Sequence, residues 1–319
     1  MNRLTISRAS ALAAMALALG ACDAGRDPLG PSTGTEAPDA ARGGNGGTTS
    51  TPRIAFSAFT QSSNLYMVNL DGTGYGLIPN GENGGGPAWS PDGKKLAFTN
   101  ATGDGAGVWV MGADGRGRKR IFVGAAWGAT WSPDGSRILF VGQVDSTHSV
   151  IQVIRPNGRD RRELTSVDGQ SRWHPTWSPD GGRIAYEEYH TLGSRLMVMN
   201  ADGTSHTPIL DCATLAAQCS SPAWSPVPGD ERIVFTVRDG DARAIVTIKV
   251  DGTDYRNVIY GTEHVAFDFH PAWSPDGTQF VFSSAKAGNL DLYLMNTDGT
   301  DIRQLTSTPI AETLPSWSR

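Results

Sequence analysis

Six copies of one short motif govern what this chain can fold into. The pair Trp-Ser recurs at Trp89, Trp131, Trp177, Trp224, Trp273 and Trp317, with spacings of 42, 46, 47, 49 and 44 residues. Ser-Pro-Asp-Gly begins at Ser90, Ser132, Ser178 and Ser274, while the copy at Ser225 reads Ser-Pro-Val-Pro-Gly-Asp and makes a longer turn. A strand rich in β-branched and aromatic residues follows each turn, as in Leu96-Ala-Phe98 and Phe280-Val-Phe282. Ile54-Ala-Phe56 is a further copy without its turn. An alternating strand comes next, such as Leu65 to Asn69 or Leu292 to Asn296. It ends each time in Asp-Gly or Asn-Gly, at Gly72, Gly115, Gly158, Gly203, Gly252 and Gly299. Such dipeptides between alternating strands mark hairpins, and the expectation is a type I′ turn with φ > 0 at both central residues. A short last strand, such as Arg303 to Thr306, completes the unit.

Four strands in a repeat of about 45 residues form the blade of a β-propeller. The expected fold is therefore all-β: a six-bladed β-propeller of four-stranded antiparallel blades. The register is offset, because Arg53 enters on a second strand and the chain ends at Arg319 on a first strand. Leu314 to Ser318 should complete the blade begun by Ile54, Leu65 and Leu77. Pairing the C-terminal strand with the N-terminal blade leaves no free sheet edge in the ring.

The Trp-Ser-Pro-Asp-Gly turn, the Ile-Ala-Phe strand and the Leu-Tyr-Met-Asn-x-Asp-Gly strand resemble the TolB-type propeller repeat. The match is best over Pro271 to Phe282 and Asn289 to Thr306, and the resemblance covers residues 53–319. It implies that each first strand lines a central channel. It also implies that the six tryptophans wedge between blades and that the turn aspartates accept backbone hydrogen bonds. Proteins of that family join a separate α/β domain to their propeller and are soluble in the periplasm.

Residues 1–52 read differently. Arg3 and Arg8 precede an apolar run, Ala9 to Leu19, which is too short to span a bilayer but suits a signal peptide. Leu19-Gly20-Ala21-Cys22 resembles the bacterial lipobox, which implies cleavage after residue 21 and lipidation of Cys22. Two or more acyl chains anchor stably where one does not. The Gly, Pro, Ser and Thr-rich segment through Pro52 cannot bury a core, so residues 22–52 are expected to be a flexible tether. The expected location is the bacterial cell envelope, as an outer-membrane lipoprotein facing the periplasm, with the choice of membrane left open. Cys212 and Cys219 are the only other cysteines, and in an exported chain they are expected to form a local disulfide.

The net charge of −5 carries no electrostatic footprint for nucleic acid. The sequence holds no Gly-x-Ser-x-Gly elbow, glycine-rich phosphate loop or His-Glu-x-x-His. Chemistry should lie where the copies disagree, just before each repeat tryptophan. Three residues before it stand Gly86, Gly128, His174, Ser221, His270 and Leu314. The preceding two positions add Trp127, Trp173 and Phe269, and Arg172, Asp268 and Glu312. Trp127, Arg172, Trp173, His174, Asp268, Phe269, His270 and Glu312 are accordingly the expected lining of a channel mouth suited to recognition.

No cofactor is expected. The first reading is a monomeric, membrane-tethered recognition module for an envelope protein, peptide or glycan, not an enzyme. The alternative is a metal-dependent polysaccharide lyase or hydrolase. Oligogalacturonate lyases resemble this repeat and hold a divalent metal with channel histidines, which here would be His174 and His270.

Overall fold

In a computed structural model, residues 52–318 are described, apart from 101–102, 146–147, 241 and 262–268. Cys22, its signal peptide and the tether before Pro52 lie outside the described residues. Strands pair into six four-stranded antiparallel sheets, one per repeat. The inner strands of blades 1 to 3 are Ala311–Trp317, Gly85–Trp89 and Ala126–Trp131. Those of blades 4 to 6 are Ser171–Trp177, Gln218–Trp224 and Phe269–Trp273. Among the described residues, helix is confined to two short 3-10 turns, Gly103–Gly105 and Cys212–Leu215.

The ring closes through its ends. Ala311–Trp317 pairs antiparallel with Arg53–Phe59, bringing Trp317 opposite Ile54 and Glu312 opposite Ala58. Just beyond the strand, the Ser318 N–H donates to the Arg53 carbonyl at 2.8 Å and the Arg53 N–H to Ser318 Oγ at 2.7 Å. Both ends of the sheet ring thus satisfy their backbone groups against each other.

Hydrophobic packing follows the repeat. Six buried clusters form, and each joins strands of two adjacent blades. The cluster between blades 2 and 3, for example, gathers Ala97, Val108 and Val110 with Trp131, Ile138 and Phe140. The repeat tryptophans also tie blades by hydrogen bonds. The Trp131 indole N–H donates to the Ala88 carbonyl of blade 2, and Trp317 donates to Ala272 of blade 6, both at 3.2 Å. Trp89 reaches Ser316 and Trp273 reaches Ala223 in the same way. Each acceptor is the residue just before the previous blade's tryptophan. Trp177 departs from this pattern: its buried Nε1 has no partner among the described residues.

The Ser-Pro-Asp-Gly turn is rigid for a local reason. Ser132 Oγ donates to Asp134 Oδ1 at 2.5 Å and accepts the Arg137 N–H at 2.9 Å. The Ser132 hydroxyl, followed by the Ser136 N–H and hydroxyl, holds the Asp134 carboxyl down to about 2. The turn at the other hairpin differs from expectation. Gly72 alone has positive φ, at 82°, while its N–H donates to the Asn69 carbonyl and Asn69 N–H donates to Thr73. All six copies share this pair of bonds, as at Gly299 with Asn296 and Thr300. These are type I turns closed by a G1 bulge, not type I′ turns. The Asp before the glycine is freed from left-handed geometry and instead accepts the Thr73 N–H and hydroxyl.

Removing Thr313 to Arg319 would strip most of the closing strand and leave the inner edge of Arg53–Phe59 unpaired. The truncated chain should aggregate or melt well below the full chain in a thermal scan. Wild-type melting and solubility would show that closure does not hold the ring.

Candidate functional site

Each inner strand breaks register at one place. The shift falls between Gly85 and Ala88, Trp127 and Thr130, Trp173 and Thr176, Ser220 and Ala223, and Phe269 and Ala272. In the closing strand it falls opposite Ala55 to Ser57. The residue three before each tryptophan has left-handed φ: Gly86 60°, Gly128 63°, His174 47°, Ser221 55°, His270 55° and Leu314 54°. Five of the six precede a proline, and only Gly128 does not. Proline donates no N–H, so it fits where a bulge has already broken the ladder.

The bulges aim these residues at the propeller axis. His174 of blade 4 and His270 of blade 6 have ring centroids 5.7 Å apart, edge to face, although blade 5 lies between them. Only near the axis can non-adjacent blades meet so closely. A Cβ on Gly86 would lie 3.8 Å from Leu314 Cδ1, and one on Gly128 would lie 3.7 Å from His174 Cα. The six positions thus form one ring around the channel.

Glu187 is a site residue that the motif comparison did not single out. It follows the aromatic of the second strand in blade 4, where the other blades carry Ser57, Thr99, Val141, Thr236 and Ser283. It is 2% exposed. His174 Nδ1 lies 2.9 Å from Glu187 Oε1, and the Ser221 N–H donates to Oε2 at 3.0 Å. Ser57 plays the equivalent role in blade 1, its Oγ accepting the Gly86 N–H at 2.8 Å. An aligned column of second-strand residues would have exposed the lone acid.

The two imidazoles differ electrostatically. Burial disfavours the charged form of His174, but the Glu187 carboxylate outweighs it and raises the pKa above the ordinary 6.5. Burial, with the charge of His174 second, pushes His270 down to about 3. Among the described residues no group of three or more His, Cys, Asp or Glu is arranged to hold a metal ion.

The remaining expected mouth residues divide. Trp127 and Trp173 meet edge to face at 5.3 Å and are half-buried, with Trp127 also packed on the cluster between blades 3 and 4. Asp268 lies outside the described residues, as does the side chain of Phe269.

Arg172 and Glu312 require a correction, because neither presents a free charge to a ligand. Arg172 is 6% exposed. Its Nε donates to Glu188 at 2.7 Å, and its two terminal nitrogens donate to Asp168 at 3.0 and 2.6 Å. Arg195 completes that network on Glu188. Glu312 is fully buried and accepts from the Thr306 and Thr308 hydroxyls. Cys219, at the same strand position in blade 5, is disulfide-bonded to Cys212, with Cα atoms 5.9 Å apart. A buried charge has to be paired, and these partners come from the strands and connections packed beside each residue.

The model of the TolB beta propeller domain matches residues 49–228 and 173–319. The chain belongs to the TolB beta propeller domain family. The Tol-Pal system protein TolB of Anaeromyxobacter dehalogenans (strain 2CP-C) is 29% identical over 122 residues, 38% of this chain and 26% of that protein. The TolB of Syntrophus aciditrophicus (strain SB) is 30% identical over 82 residues, 24% of this chain and 18% of its own length. The chain thus spans about a quarter or less of these curated relatives. Among solved structures, TolB from Acinetobacter baumannii superposes with a TM-score of 0.72 at 19% identity, covering 83% of this chain and 66% of that one. An oligogalacturonate lyase in complex with manganese gives 0.54 at 19% identity, covering 80% and 73%. At these identities the solved structures bear on the TolB-type fold alone.

The histidine pair makes a pH prediction with opposite signs. His270 stays neutral in the fold, so between pH 6.5 and about 3 the unfolded chain binds more protons. Its contribution to stability is present above 6.5 and lost as pH falls. His174 keeps its proton above 6.5, so its contribution is present below that pH and lost as pH rises through the raised value. Histidine NMR titration should show His270 unprotonated at pH 5 and His174 protonated there. Glu187→Gln should lower the His174 midpoint, and an unmoved midpoint would refute the pairing.

Proposed function

We propose that this TolB-type propeller is a lipid-anchored recognition module of the bacterial cell envelope, tethered through Cys22, that binds a protein partner at its channel mouth. The observation that carries the reading is the convergence of His174 and His270 on the axis, beside the Trp127–Trp173 pair. Scaffold positions repeat from blade to blade, whereas this ring changes chemistry in nearly every copy. Half-buried aromatics beside polar groups are the composition of binding hot spots. The curated relatives are named for the Tol-Pal system, which supports an envelope role for the propeller. A peptide segment or glycan that enters the same mouth fits the same surface. The protein is proposed to act as a monomer and without a cofactor.

Two variants separate recognition from packing. Trp173→Ala should weaken binding to the partner recovered from envelope extract by about thirtyfold, the loss of an anchor worth about 2 kcal/mol. Its melting temperature should barely change. Trp131→Ala, which removes a buried interblade wedge, should instead cost about 3–5 kcal/mol of folding stability. A Trp173→Ala protein that melts early but binds normally would make Trp173 core alone.

The anchor is tested separately. Cys22→Ser should move the protein from the membrane to the soluble fraction and abolish labelling by a fatty-acid analogue. A wild-type protein that takes up no label would remove the lipid from this proposal.

A further inference from the structure

We propose that the channel ring formed by His174 and His270 is a carboxylate-binding site, which receives an acidic side chain or a free chain terminus of whatever the mouth binds. The inference rests on the mouth-binding reading and adds the chemistry of the group that enters.

The argument begins with what the channel wall offers. Gly86, Gly128, His174, Ser221, His270 and Leu314 form the ring, and none of the six is an acid. The carboxylate of the site, Glu187, is 2% exposed and sits behind His174. Both of its oxygens are occupied, one by His174 Nδ1 and the other by the Ser221 N–H. Among the described residues of the ring, a cationic ligand therefore finds no free negative group.

An anion finds donors. Glu187 fixes the imidazole of His174 by its Nδ1 edge and stabilises the protonated form, which turns Nε2–H, on the opposite edge of the ring, into a charged donor. A carboxylate held by another group commonly orients a histidine in this way. His270 lies 5.7 Å away, ring centroid to ring centroid, within reach of the same two-oxygen ligand. The Ser221 side chain stands between them in the ring order, with a hydroxyl able to donate as well. Charge-assisted hydrogen bonds to a carboxylate are about twice as strong as neutral ones, and burial strengthens them further.

Glycine at Gly86 and Gly128 leaves one side of the ring without side chains. Ser221 and His270 stand across the ring from them, and His174 follows Gly128. A slender group entering along the axis is thereby directed onto the imidazoles. A bulky aromatic ligand would have to displace Leu314 and the histidines, whose rings already touch.

The test uses small probes and the folded protein, with no macromolecular partner. N-acetylglutamate α-amide carries only a side-chain carboxylate. N-acetylglutamine carries only an α-carboxylate, and N-acetylglutamine α-amide carries neither. Each is titrated at pH 6 while the imidazole NMR signals of His174 and His270 are followed. At least one acid should shift both histidines saturably, and the diamide should not. The acid that binds more tightly identifies the source of the carboxylate. His174→Gln and His270→Asn, each checked by thermal melting, should each weaken that acid by about tenfold or more.

Equal titration by acids and diamide would overturn the proposal, as would undiminished binding in both folded variants or a failure of either acid to move the imidazoles. Binding abolished by a chelator would assign the site to a metal ion and overturn it too. Because these probes bypass the aromatic rim, a negative result leaves the Trp173 test of the mouth standing. A negative Trp173 test likewise leaves the channel site standing.

Discussion

Each blade is held to the one before it by an indole, and the rest of the structure depends on that contact. The tryptophan closes its own inner strand and fills the gap at the interface, and Trp89, Trp131, Trp273 and Trp317 also donate to the residue before the previous tryptophan. A blade with one apolar face bare would not persist in water, since a sheet needs both faces covered to repay its ordering entropy. The six clusters lie between blades, so no blade has a core of its own. Stability is consequently a property of the closed ring, and the strand Ala311–Trp317 matters out of proportion to its seven residues.

Closure also explains how a site can exist at the axis. Six inner strands must run side by side around a narrow channel, and side chains pointing straight inward would collide. The bulge three residues before each tryptophan answers this constraint by rotating one residue per blade into a left-handed conformation. Left-handed geometry is nearly free for Gly86 and Gly128 and costs about 1–2 kcal/mol for a residue with a Cβ. His174, Ser221, His270 and Leu314 accept that cost. Strain of this kind, kept by non-glycine residues in one part of a repeat, is the pattern expected of positions selected for what they face.

The fold was legible because its signals are local. Trp-Ser-Pro-Asp-Gly specifies a hydrogen-bonded turn within five residues, and the offset of Arg53 against Arg319 specifies closure without knowledge of any distant contact. The type of the second hairpin turn was not legible. Asp-Gly suits both a type I′ turn and a G1 bulge, and in all six copies the N–H after the glycine donates to the Asp or Asn side chain, whether that next residue is Thr or Arg. The site was half legible. His174 and His270 stand out in the aligned column and do meet. Arg172 and Glu312 stand out equally but turn away, because a bulge reverses the alternation of faces that an unbroken strand would keep. Their partners, Glu188 and Thr306 among them, lie on other strands or connections that the column does not show.

Glu187 shows how the two kinds of position interlock. In blade 1 a neutral hydroxyl, Ser57, caps the bulged backbone of the next blade through one bond. Glu187 makes the same cap to Ser221 with one oxygen and has a second oxygen left over. That oxygen would be a buried, uncompensated charge unless a cation met it, and His174 stands within 2.9 Å to do so. The capping rule of the scaffold therefore accounts for the backbone bond, and the acid accounts for the charged imidazole. His270 sits in the equivalent bulge two blades on, where the matching second-strand residue of its own blade is Ser283. A serine carries no charge at the position where Glu187 faces His174, and burial, with the charge of His174 second, pushes the His270 imidazole down while Glu187 raises His174. Two histidines in like backbone settings thus stand beside different second-strand residues, one acidic and one neutral.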